Sequence, residues 1–126
     1  MNMNDKYDSG LSMRECYELL GESYDSILQR LECDEEAVEP AIREFLHDEH
    51  FAEFVGAMNE HETQKAFRAA HTMKGIAANL GFEKLRCIFV EITEYLRKGD
   101  YDNAQQLLIP AVKEYTRIIS ILKRCK

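Results

Sequence analysis

The chain has 126 residues, 45% apolar and 31% charged, which suits one globular domain and excludes a disordered chain or a membrane bundle. Lys and Arg total 16 against 23 Asp and Glu, a net charge of −7. A general attraction to nucleic acid or anionic membrane is thereby excluded, and any phosphate must be met by local cations.

Residues 1–10 contain no apolar run of the signal-peptide kind, and no segment reaches ~18 consecutive apolar residues, so a cytoplasmic chain is expected. They read as a flexible segment ahead of one helical domain over 11–126. Apolar residues recur three and four apart with no useful period-2 run, so the class is all-α.

Ser12-x-x-Glu15 reads as a capping box ahead of Cys16, Leu19 and Leu20, and Gly21 ends that helix. A second short helix turns Tyr24, Ile27, Leu28 and Leu31 inward. Asp34 can cap the next, whose stripe is Val38, Ala41, Ile42, Phe45 and Leu46, with Pro40 delaying the regular helix by a turn. Phe51, Phe54, Val55 and Met58 continue the stripe after His47-Asp-Glu-His50, which is a break or only a bend. Asn59-x-x-Glu62 reads as a capping box for a helix ending near Gly81.

Leu85, Ile88, Phe89, Ile92 and Leu96 line a helix that stops at Gly99. From Asp100 the last helix carries Tyr101, Ala104, Leu108, Val112, Tyr115, Ile119 and Leu122, with a kink or restart at Pro110. Short connections predict an antiparallel up-down four-helix bundle from about residue 34, with the additional short N-terminal helices packed across it. Cys16, Cys33, Cys87 and Cys125 form no C-x-x-C pair and read as reduced, mostly buried small hydrophobes.

The helix from Thr63 carries the one sharp feature. At about 100° per residue, Ala66, Ala69, Ala70, Met73, Ile76, Ala77 and Leu80 gather on one buried side. His71 falls near the opposite face, with Gly75 at i+4 and Ala78 at i+7, so the surface beyond its imidazole is nearly bare backbone. An outward mid-helix glycine costs roughly 1 kcal/mol against alanine, and close approach of a partner is a reason to keep it. Lys74, at i+3, can reach back with a cation for an anion held there. An exposed imidazole with a nearby cation suits transient phosphorylation at a ring nitrogen.

Ala70-His-Thr-Met-Lys-Gly75, followed by Asn79-Leu-Gly81, resembles the hallmark of histidine-containing phosphotransfer (HPt) domains of two-component phosphorelays. Their His-x-x-Lys-Gly run often stands within Ala-His-Thr-Leu-Lys-Gly and is followed by Leu-Gly. The resemblance spans residues 10–125 and implies a four-helix bundle with His71 phosphorylated, Lys74 contacting the phosphate and Gly75 leaving room for a receiver domain.

It also implies no kinase activity and no bound cofactor. His71 would accept the group from a receiver's aspartyl phosphate, as on a hybrid histidine kinase, and pass it to the receiver of a response regulator; magnesium belongs to the receiver. Phe67, one turn before His71, is a candidate for an apolar docking patch, together with Gln64, Ala78 and Thr93. Some family members hold the second imidazole nitrogen with a glutamine on the next helix. Here the reflected position falls at 91–93, where Glu91 or Thr93 would substitute.

Two other readings remain beside this one. A helical module can dock receivers or other signalling proteins without transfer. A metal bundle would use Glu44-x-x-His47, half of a di-iron pattern whose second Glu-x-x-His is missing, so His47, His50 and His61 read as solvated. No glycine-rich phosphate loop is present, so the ATP-binding part of a histidine kinase is absent, and a monomer is the default.

Overall fold

The computed structural model describes residues 10–125; the flexible segment expected over 1–10 lies, Gly10 apart, outside the described residues. Helix α1 (Met13–Leu20) opens on the expected capping box: the Ser12 hydroxyl accepts from the Glu15 amide at 3.1 Å, and the Glu15 carboxylate accepts from the Ser12 amide at 2.9 Å. Its buried face differs from the expected one. Tyr17, with Cys16 and Leu20, is fully buried, whereas Leu19 is 49% exposed. The Tyr17 ring packs against Tyr24 and Phe82, both 5.7 Å away between centroids, and this aromatic cluster turns the helix so that Leu19 faces out.

Helix α2 (Tyr24–Arg30) is capped by the Ser23 hydroxyl, and Asp34 caps a single 3-10 turn, Glu35–Ala37. Helix α3 (Val38–Leu46) therefore starts one turn after Asp34, with Pro40 in its first turn, where a missing N–H breaks no helical bond. The polar run His47–His50 is a true break. The Asp48 carboxylate accepts from the His50 amide at 2.8 Å and starts helix α4 (His50–Asn59). The capping box expected at Asn59 does not form. Asn59 is still helical, His61 takes the left-handed φ of 56° that turns the chain, and helix α5 (Thr63–Leu80) begins after Glu62 without a side-chain cap.

Helix α6 (Glu83–Arg97) ends before Gly99 as expected. The last leg breaks at Leu107, between helices α7 (Tyr101–Gln106) and α8 (Leu108–Leu122), rather than at Pro110 itself. A proline inside the helix would clash with the carbonyl four residues back, at Gln106, so the helix restarts early enough to seat Pro110 in a first turn. The restart moves the buried stripe to Ala111, Ile118 and Leu122 and leaves Val112 37% exposed.

The four legs of the bundle are α3 with α4, α5, α6, and α7 with α8; α5 packs between α4 and α6, while α2 lies against α5 and α1 against α8. Aromatic pairs tie the legs together: Phe51 stacks on Tyr115 at 4.0 Å, and Phe54 meets Phe89 edge-on at 5.1 Å. Among the described residues there is no strand, only an isolated backbone bridge between Leu11 and Cys125. None of the described helices is long and apolar enough to cross a membrane.

Two of the four cysteines depart from expectation in one way and two in another. Cys16 and Cys125 form a disulfide with Cα atoms 6.6 Å apart, joining α1 to the segment after α8, while Cys33 and Cys87 are free and exposed. The pairing is illegible in sequence because 109 positions separate the two residues, and only the packing of α1 on α8 brings them together. Alkylation of the unfolded, unreduced chain is expected to label Cys33 and Cys87 alone, with Cys16 and Cys125 labelled only after reduction. Intact mass reads the difference.

Gly81 fixes the turn that carries α5 into α6. Its φ is 76°, and a Cβ there would stand 3.5 Å from the Ser23 carbonyl oxygen and 3.7 Å from the Tyr17 ring. The Gly81 and Phe82 amides donate back to the Ala78 and Ala77 carbonyls, closing the helix end. Gly81→Ala is expected to lower stability by about 1–2 kcal/mol through the left-handed backbone, read as a shift of the urea midpoint at unchanged slope.

Candidate functional site

Helix α5 is built to be covered on one side only. Ala66, Ala70 and Ala77 are completely buried, with Ala69, Met73 and Leu80 nearly so, and these small side chains let α4 and α6 approach closely. Ile76, expected with them, is half-buried at the edge of the face. The far end of α5 is pinned from outside the bundle: the buried Tyr17 hydroxyl donates to the Leu80 carbonyl at 2.6 Å, satisfying a carbonyl that the helix end leaves unpaired. Burial is the main cause that pushes the Tyr17 phenol well above its ordinary pKa, which keeps it a donor even in alkaline solution.

His71 projects from the uncovered side and is exposed. Along the same strip stand Gln64, exposed, and Phe67, half-buried, whose ring centroid lies 6.2 Å from that of His71. Beyond the imidazole come Lys74, half-buried, Gly75, exposed, and Ala78, half-buried. A Cβ built at Gly75 has nothing within 4 Å, so no internal contact explains the glycine. The structure thus brings Gln64, Phe67, His71, Lys74, Gly75 and Ala78 together on one face.

Thr93 does not join them. It is 1% exposed, and its hydroxyl donates to the Phe89 carbonyl at 2.6 Å within its own helix, so the expectation of a docking or imidazole-holding role is corrected. The reflection across the Gly81 turn placed it on the right helix but on its inner side. Glu91 is exposed on the same helix.

The other histidines are engaged elsewhere. The His47 ring meets the Arg43 carbonyl at 2.9 Å, the His50 ring meets the Asp48 carboxylate at 3.0 Å, and His61 stacks on Tyr101 with centroids 4.3 Å apart. Among the described residues no group of three or more His, Cys, Asp or Glu is arranged to hold a metal ion. Two features of the site were not singled out from sequence. One is the Tyr17 anchor, which only the packing of α1 reveals. The other is a groove between α4 and α5 lined by His50, Glu53, Lys65, Arg68, Ala69 and Thr72, for which the spacing of Lys65, Arg68 and Lys74 was the available signal.

Comparison with known proteins gives one match and two negatives. The family model described as Hpt domain matches residues 18–121. No curated protein and no solved structure matches the chain. Because Gly75 has open space around it, Gly75→Ala is expected to stabilise the fold by about 0.5–1 kcal/mol, the ordinary gain of alanine over glycine in a helix. Urea unfolding measures it, and a loss of stability would show that the helix needs the bare backbone for its own sake.

Proposed function

The chain belongs to the Hpt domain family, which acts in phosphotransfer within phosphorelays, and from that premise we propose that His71 is the phosphorylated residue of a carrier between two receiver domains. The observation that carries the assignment is the exposed His71 on the uncovered side of α5, with a cation one turn on and an open glycine beside it.

The chemistry needs little more from this chain. An imidazole is largely neutral near pH 7 and offers the lone pair of its unprotonated nitrogen to phosphorus. The N–P bond forms as the P–O bond to the receiver's aspartate breaks, the carboxylate leaves with that electron pair, and the ring keeps its other proton. Transfer to the second receiver runs the same step in reverse. Lys74 offsets charge on the phosphoryl oxygens, and Gly75 with Ala78 admits the receiver backbone. Magnesium comes with the receiver, and no nucleotide or other cofactor is required of this chain.

Gln64 and Phe67 extend the docking strip on the N-terminal side of His71. The donor would be the receiver of a hybrid histidine kinase and the acceptor that of a response regulator. A monomer in the cytoplasm suffices for this role.

A receiver charged with acetyl phosphate and magnesium is expected to label the chain, and His71→Gln to abolish the label while leaving the helical circular dichroism unchanged. Gly75→Leu is expected to fold and yet block labelling. Label that survives His71→Gln overturns the site; receiver binding without any label favours a docking module that does not transfer.

A further inference from the structure

Every third residue of α5 around the site is basic or imidazole: Lys65, Arg68, His71 and Lys74. The helix carries no carboxylate anywhere between Thr63 and Leu80, in a chain of net charge −7. That absence governs what Arg68 can do. Arg43, Arg86, Arg97 and Arg117 each pair with a glutamate three or four residues earlier on their own helix, and Arg14 pairs with Asp25. The corresponding positions around Arg68 are Gln64, Lys65, His71 and Thr72, so its own helix offers no acid. Glu53, across the groove on α4, lines the same surface but lies beyond ion-pair distance, and Arg68 is exposed without a carboxylate partner among the described residues.

Helix geometry sets Arg68 and Lys74 symmetrically about His71. Each stands three residues away, about 4.5 Å along the axis, and about 60° round it on opposite sides. Arg68 lines the groove against α4, and helical spacing sets Lys74 on the other side of the imidazole. Phe67 lies on the Lys74 side of the imidazole, so the polar side is the one that Arg68 shares with Thr72 and the His50 end of α4. A planar guanidinium with several donors is suited to phosphoryl oxygens, and an arginine held in no ion pair can turn to them.

We propose that Arg68 is a second cation on the phosphoryl group of His71, closing on it from the α4 side while Lys74 closes from the opposite side, a role that rests on the phosphocarrier reading above. Arg68 then stabilises the phosphorylated form of this chain over the unphosphorylated one. A residue that only steers or docks receivers speeds transfer in both directions and leaves the equilibrium where it was.

The test uses the full chain mixed with a purified receiver that accepts its phosphoryl group, with the label distribution followed to equilibrium in both directions. Arg68→Ala is expected to shift the equilibrium constant towards the receiver by about threefold to fivefold, the scale of an exposed charge contact, with Arg68→Lys recovering part of it. Thermal unfolding of both variants is expected to match the parent, since Arg68 makes no internal ion pair. An unchanged equilibrium constant with slower rates overturns the proposal in favour of docking, and unchanged constant and rates overturn it outright. A parent chain that takes no label overturns the phosphocarrier reading itself, and the proposal with it.

Discussion

The arrangement depends on one packing constraint, the alanine face of α5. Ala66, Ala69, Ala70 and Ala77 are small enough to seat α4 and α6 close on either side, and they gather all of the helix's burial on that arc. A helix with large apolar residues all round would need covering on every side. Here the remaining arc carries only polar, basic and very small residues apart from the half-buried Phe67 and, at its edge, Ile76, so it stays uncovered at little cost in exposed apolar surface. The exposed histidine is a consequence of how the neighbouring faces are filled.

Rigidity at the two ends of α5 completes the frame. At its start, His61 in a left-handed conformation turns the chain and stacks on Tyr101, whose hydroxyl donates to the Met58 carbonyl. At its end, Gly81 makes the αL turn and Tyr17 reaches in from α1 to the Leu80 carbonyl. The short N-terminal helices therefore do more than cap the bundle. They hold the end of the functional helix, and through Cys16 and Cys125 they are tied to the last leg.

Local rules made much of this legible in the sequence. The Ser12 box, the Gly21 and Gly81 stops and the inward stripe of α6 depend on neighbours within one or two turns, and all stand where the pattern put them. What failed depended on distant partners. Tyr17 rather than Leu19 is core because Phe82, far along the chain, supplies the other half of its contact. Asn59 lost its capping role because His61 could adopt the turn conformation instead, and Thr93 faces inward because the rotation of α6 about its axis is set by Phe89, Ile92 and Leu96 in the core. The face of His71 was readable because α5 has an unambiguous small-residue stripe; the partner side of α6 was not, because a reflection across a turn fixes height along a helix and not azimuth.

Charge shows the same division between local and global. An acidic chain disfavours the approach of free phosphate and polyanions over distances of about a Debye length, roughly 8–10 Å at physiological salt. Within that length α5 itself supplies cations and no carboxylates. For a carrier the balance between the two matters more than either alone. A dense basic cluster would hold a phosphoryl group too firmly to give it up, while an unrelieved acidic surface would hold too little on the histidine for the next partner to collect. A few cations on one helix of an acidic bundle lie between these limits, and they can be substituted without touching the core.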